Sequence, residues 1–358
     1  MNSYPNSNTD MHKYSSTEND SLEIELLRDV ASTGKERPWV NKKTRSLLTA
    51  ENYEVANLMS KAEKMYDCGN YLVFKLKDGK MKLYKAYFCK VRLCPMCNWR
   101  RSLKVAAQNK LIVERANETE SVTWLFLTLT VKNVEGHELK STVEDMMKAW
   151  HSFSKYAKFK KSVKGYFRAL EITKNRDWNS KSYGTYHPHF HVLLCVPKSY
   201  FKKKDLYITH DEWLNMWQKA LKIDYKPIVS IQKVKPKEKP KNPLDVENEL
   251  SKAMKDMEEI NAVFEVSKYP VKDTDVIRGD KLTKDNVETL LAFDTAIARK
   301  RLIAYGGLLK QIHKELNLDD EDGDLINVGE DDNDEVANGI FDVVAYWHFG
   351  LKNYVIKG

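Results

Sequence analysis

The chain has 358 residues, 42% hydrophobic and 31% charged, which fits a globular protein with a sizeable core and two or three domains. No run of about 18 uncharged apolar residues occurs, which excludes a membrane-spanning helix; the polar first 21 residues lack the apolar run of a secretory signal, so a cytoplasmic location is expected. The net charge is +8, but residues 319–335 hold ten acids and no base, so the remainder carries +18 and points to an anionic partner, nucleic acid first.

Residues 1–45 are polar and without apolar periodicity, and a disordered segment is expected there. A helix is expected over 46–67, then strands YLVFKLK (71–77) and KLYKAYF (82–88) joined by Asp78-Gly79, a favoured hairpin turn. A helix from about Asn98 closes this first part, 46–118. The next part, 119–318, opens with WLFLTLTV (124–131), a short apolar run that reads as a buried strand. Helical spacing follows in 141–159, then strand GYFRALEITK (165–174), a polar loop (176–184), strand HPHFHVLLCVP (187–197), helix 207–221 and strand 225–234. The order β-α-β-β-α-β over 121–235 predicts an α+β fold, a ferredoxin-like sandwich with a largely antiparallel sheet.

A basic, proline-broken linker (235–243) precedes a long helix over 248–269 that Pro270 ends. Residues 286–317 read as helical, with Gly306-Gly307 weakening the middle. The acidic stretch 319–335 reads as a solvated linker, and 336–358 as a returning hairpin.

Three residue clusters carry chemistry. Cys68, Cys89, Cys94 and Cys97 have the spacing C-x20-C-x4-C-x2-C; a C-x-x-C turn lets two thiolates reach one tetrahedral zinc, and the hairpin brings the other two back to it. The competing reading is a redox-active pair beside two small strand residues. Cys195 lies in an apolar strand and is expected in the core. In HPHFHVLL, alternation along a strand places His187, His189 and His191 on one face and Phe190, Val192 and Leu194 on the other. Two or three imidazoles on one face make a platform for a divalent ion, and an oxygen ligand is expected with them. Glu171 on the preceding strand is the candidate, with His187 its competitor. Glu265 and Tyr269 lie four apart, on one face of the expected helix, beside Lys268 and Lys272. A tyrosine hydroxyl can attack a phosphodiester, a lysine can stabilise the phenolate, and a carboxylate can activate a second nucleophile.

FLTLT (126–130), HPHFHVLL (187–194) and EVSKY (265–269), in that order, resemble the rolling-circle plasmid replication initiators of Gram-positive bacteria. CKVRLCPMC (89–97) narrows the resemblance to the group with an N-terminal cysteine cluster; it spans roughly residues 66–310. The resemblance implies an HUH-class endonuclease core, a small zinc module before it and a helical part after it. His189 and His191 would hold Mg²⁺ or Mn²⁺, Tyr269 would be the nucleophile, and Glu265 would promote termination. The implied partners are plasmid origin DNA, as duplex and as single-stranded hairpin, and a host helicase and single-strand-binding protein. No membrane is implied, a homodimer is allowed, and FLTLT supplies a core strand. Lys202, Lys203 and Lys204 are expected to contact DNA, and Trp178 and Tyr183 to stack on unpaired bases. An HUH transposase and a zinc-containing, non-cutting DNA-binding regulator are the alternatives.

Overall fold

The computed structural model describes residues 24–31, 34–77, 80–234, 272–328 and 341–357. Its centre is a five-stranded antiparallel sheet. The strands are β3 (Val122–Thr130), β4 (Gly165–Lys174), β5 (Tyr186–Pro197), β6 (Val229–Lys233) and β7 (Ile303–Gly307), in spatial order β6-β3-β5-β4-β7. Helix α4 (Leu139–Phe153) joins β3 to β4, and α6 (His210–Leu221) joins β5 to β6, with the short α5 (Ala157–Ser162) between α4 and β4.

The two faces of this sheet follow from alternation along its strands. On one, Leu127, Leu129, Leu170, Phe190, Val192 and Leu194 pack against Val143, Met146, Trp150 and Phe153 of α4 and Trp213 and Trp217 of α6. Those helical residues recur every three or four positions, which gives each helix one apolar stripe. A capping box starts α6: the Glu212 N–H donates to Thr209 Oγ1 (3.2 Å), and the Thr209 N–H to Glu212 Oε2 (2.7 Å). On the opposite face a second apolar cluster forms at one end. There Trp124, Phe167, Leu193, Cys195 and Ile303 meet α3 (Pro95–Thr119) and α9 (Leu308–Glu315). The other end of that face carries Glu171, His189 and His191.

A second, four-stranded sheet has the order β2-β1-β8-β9, from β1 (Tyr71–Lys77), β2 (Lys80–Ala86), β8 (Phe341–His348) and β9 (Asn353–Ile356). The terminal hairpin is therefore not a separate piece. It completes the sheet of the cysteine-bearing part, with Tyr71↔Tyr346 to Leu76↔Phe341 in register.

Several expectations need correction. Helix α1 (Trp39–Val55) starts within the segment expected to be disordered, and α2 (Met59–Asp67) follows a break at Asn57, whose φ is +57°. Trp39 is buried and its indole N–H donates to Asp29 (2.7 Å), while Leu27 N–H donates to Tyr354 O (3.0 Å), so residues 24–31 are held in place. Residues 286–317 are not one helix: α8 (Lys284–Ile297), which follows the short α7 (Asp273–Val276), β7 and α9 share them. Gly306 and Gly307 are there for close approach. A Cβ would stand 2.2 Å from the Tyr166 ring at Gly306, and 2.2 Å from Lys164 O at Gly307. Nor is the start of the acidic stretch a solvated linker. Asp319 pairs with Lys104 (2.6 Å), Asp322 with Arg101 (2.6 Å), and Leu325 and Val328 are buried. The linker 235–243, the expected helix to Tyr269 and residues 329–340 lie outside the described residues.

Candidate functional site

Among the described residues two clusters of potential metal-ligating side chains form, one in each sheet's part of the chain. Cys68 follows α2, Cys89 follows β2, Cys94 caps α3, and Cys97 lies in its first turn. Their sulfurs lie 3.6 Å (Cys68–Cys97) and 3.7 Å (Cys89–Cys97, Cys68–Cys94) apart. A zinc tetrahedron with bonds of about 2.3 Å has sulfur–sulfur edges of about 3.8 Å, so the four donors fit that ion. Outer contacts support them. The Cys89 N–H points at Cys68 Sγ (3.4 Å), the Lys90 N–H at Cys97 Sγ (3.3 Å), and Ser46 Oγ lies 3.4 Å from Cys94 Sγ. Lys43 is fully buried beside them and donates to Tyr66 O, Cys68 O and Asn70 Oδ1. Burial pulls its pKa down to about 8, against the thiols, which raise it. Cys195 is buried in the main sheet, away from this cluster, and burial pushes its thiol up to about 12.

The second cluster lies at the other end of that face of the five-stranded sheet. Register builds it: Glu171 on β4 stands opposite His189 on β5, and His191 opposite Thr128 on β3. Glu171 Oε2 lies 2.8 Å from His191 Nε2 and 3.4 Å from His189 Nε2, and the two Nε2 atoms are 3.1 Å apart. Donors about 2.1 Å from a shared octahedral ion would lie about 3.0 Å apart, so these three atoms fit one face of such a site. His189 Nδ1 lies 3.1 Å from His187 O, and His191 Nδ1 lies 3.3 Å from Thr128 Oγ1. A ring that donates from Nδ1 presents its Nε2 lone pair to the cluster. Phe126 stacks on His191 with ring centroids 5.3 Å apart. His187 stacks on His189 at 5.1 Å but brings no ligand atom into the group of three.

Lys272 completes the cluster, its Nζ 2.7 Å from Glu171 Oε1. Burial raises the Glu171 carboxyl, but hydrogen bonds from His189, His191 and Lys272 outweigh it and hold the group well below the usual carboxylate range. Of the other expected residues, Glu265, Lys268 and Tyr269 lie outside the described residues. Trp178 and Tyr183 are 81% and 58% exposed on the loop between β4 and β5, and Lys202, Lys203 and Lys204 are exposed after β5. The sequence reading missed Thr128, whose cross-strand partner is visible only once the β3–β5 register is known.

The family model described as "Replication protein" matches residues 80–355. "Protein rep" of Bacillus amyloliquefaciens is 51% identical over 352 residues, 96% of this chain and 99% of that protein. "Protein rep" of Streptococcus pneumoniae is 39% identical over 337 residues, 93% of this chain and 96% of its own length. A "Replication protein" of Staphylococcus aureus is 41% identical over 250 residues, covering 69% of this chain. No solved structure matches the chain. Matched over residues 80–355, and half identical to a relative along almost the whole of both chains, the protein belongs to the replication-protein family and is a plasmid replication initiator of Gram-positive type.

Proposed function

We propose that this initiator is an HUH-class endonuclease and strand transferase that nicks one strand of its plasmid origin through Tyr269 and so starts rolling-circle replication. The observation that carries the reading is the Glu171–His189–His191 cluster with Lys272 against it. Lys272 is three residues after Tyr269, and three residues of chain span at most about 11 Å. The βαββαβ order with spatial order β6-β3-β5-β4 supports a ferredoxin-like core for it.

Glu171, His189 and His191 would hold Mg²⁺ or Mn²⁺, which when bound polarises the scissile phosphate. Thr128 and the His187 carbonyl fix the two imidazoles so that both Nε2 atoms converge. The Tyr269 oxygen attacks phosphorus; a phosphotyrosyl bond forms, the P–O3′ bond breaks, and the departing oxygen takes a proton to become the 3′-hydroxyl that primes synthesis. Lys268 stabilises the phenolate. Lys272, paired with Glu171, holds the chain at the cluster. At termination Glu265 takes a proton from water, or from a second hydroxyl, attacking the phosphotyrosine. The cysteine cluster holds structural zinc. Trp178 and Tyr183 stack on unpaired origin bases, and Lys202 to Lys204 meet backbone phosphates. The partners are origin DNA as duplex and extruded hairpin, and a host helicase and single-strand-binding protein in the cytoplasm.

The test is nicking of supercoiled origin plasmid with Mn²⁺ or with EDTA. Metal-dependent open circles from the protein, absent with His191→Ala, support the reading. Origin binding without a nick in either condition would favour a non-cutting regulator.

A further inference from the structure

A cavity of about 450 Å³ opens beside β7, the edge strand of the main sheet. Its lining brings together Arg299, Arg301 and Lys310 with the acidic segment 319–322. All three cations are exposed, and none forms an ion pair among the described residues. The cavity is not remote from the metal-ligand cluster. β7 pairs with β4 up to Ala169↔Ile303, and the Leu170 N–H still donates to Leu302 O (2.8 Å). Arg301 therefore stands level with Glu171 on the neighbouring strand.

The four acids of that segment divide into two kinds. Asp319 and Asp322 brace the segment on α3 through Lys104 and Arg101, and Arg100 adds two bonds, to Leu325 O (2.9 Å) and Ile326 O (2.6 Å). Asp320 and Glu321 make no side-chain hydrogen bond to α3 among the described residues, although the charges of Arg92 and Arg101 act on Glu321. Asp320 accepts from the Asp322 N–H of its own turn (3.1 Å), and Glu321 Oε2 is buried without a partner. A buried carboxylate oxygen without a hydrogen-bond partner destabilises the fold, so hydrogen bonding to α3 does not account for its place. Carboxylates that line one cavity with unpaired guanidinium and ammonium groups resemble backbone phosphates in charge and in acceptor geometry.

We infer that Arg299, Arg301 and Lys310 form a phosphate seat for the DNA strand running past Glu171, and that Asp320 and Glu321 screen this seat in cis. The strand displaces this screen or pays its repulsion, so the acidic segment weakens binding of strands that bring no other contacts. This rests on the proposed function only in taking DNA as the strand, and its test needs no nicking.

The test is a two-by-two comparison: the unsubstituted protein, Asp320→Asn/Glu321→Gln, Arg299→Ala/Arg301→Ala/Lys310→Ala, and all five changes together. The probe is a fluorescent oligothymidylate without origin sequence, with EDTA at pH 8, where Glu321 is ionised, titrated at several salt concentrations. Neutralising the acids is expected to tighten binding about tenfold; removing the cations is expected to cost little in the native background and about tenfold in the neutralised one. The salt slope in the neutralised background should fall by about 2 when the three cations go, at roughly 0.7 per phosphate contact on a single strand. Equal cation effects in both backgrounds, or none in either, would overturn the inference. Acetylation footprinting checks the seat by a second readout: in the Asp320→Asn/Glu321→Gln protein saturating oligonucleotide is expected to protect Lys310 more than in the unsubstituted protein, and equal or unchanged Lys310 reactivity in both would contradict it. Failure of nicking with this pattern intact would reject the proposed chemistry and leave the seat standing.

Discussion

Lys272 Nζ and Glu171 Oε1 lie 2.7 Å apart, while the other oxygen of the same carboxylate faces His189 and His191. One carboxylate thus serves the ligand cluster with Oε2 and holds the chain after Tyr269 with Oε1. Lys272→Met separates these roles. Mn²⁺ affinity should stay within a few-fold of the native value or rise, because a competing cation is gone, while single-turnover nicking falls tenfold to a hundredfold. A parallel loss of metal binding and nicking, measured by titration calorimetry and a quenched cleavage assay, would make Lys272 part of the ligand site itself.

Thr128 orients His191 from the strand opposite (Oγ1 to Nδ1, 3.3 Å). Thr128→Val keeps the shape and removes the hydroxyl. Mn²⁺ affinity should drop tenfold to a hundredfold, as for other outer partners of ligating histidines, and Thr128→Ser should restore most of it. Equal affinities in all three proteins would show that stacking on Phe126 suffices to fix the ring.

The cysteine cluster is tied to the terminal hairpin: Tyr354 OH donates to Gly69 O (2.6 Å), and the Trp347 N–H to Asn70 O (2.8 Å), next to Cys68. Zinc removal by a thiol-reactive chelating assay should release one ion per chain. Hydrogen exchange in β8 and β9 should then speed up together with that in β1, before the five-stranded sheet responds. Exchange confined to residues 89–97 would separate the ion from the sheet.

Burial raises the Glu321 carboxyl to about 7, and neighbouring Asp322 adds to it. The folded state then holds this proton more tightly than the unfolded state, so its contribution is present below the ordinary carboxylate pKa and lost as pH rises through about 7. Glu321→Gln should remove that dependence and raise stability at pH 8 by on the order of 2 kcal/mol relative to the native protein. Denaturant midpoints at pH 5 and pH 8 check it. A native protein whose stability is flat across this range, or rises, would contradict the assignment.

The parts of this fold that were legible in sequence are those set by local periodicity. HPHFHVLLCVP alternates so strictly that its three histidines and its core residues separate by face without a structure. Adjacent hairpin strands then make Glu171 a natural partner of His189. What was illegible depends on contacts between distant residues. β7 is five residues long and ends in two glycines, so it carries no strand signal until Tyr166 is seen packed on Gly306. The pairing of β8 with β1 joins residues about 270 apart, which no local pattern encodes. The acidic stretch looked solvated because its partners, Lys104 and Arg101, lie on a helix two hundred residues earlier.

The central claim is a covalent bond between Tyr269 and DNA. Its most direct test is to incubate the protein with Mn²⁺ and an oligonucleotide carrying the origin nick site, digest the denatured adduct with protease and nuclease, and sequence the nucleotide-bearing peptide by mass spectrometry. The account predicts a 5′-phosphonucleotide on Tyr269, and no adduct with Tyr269→Phe. A nucleotide on another residue, or nicked DNA with no adduct at all, would contradict it.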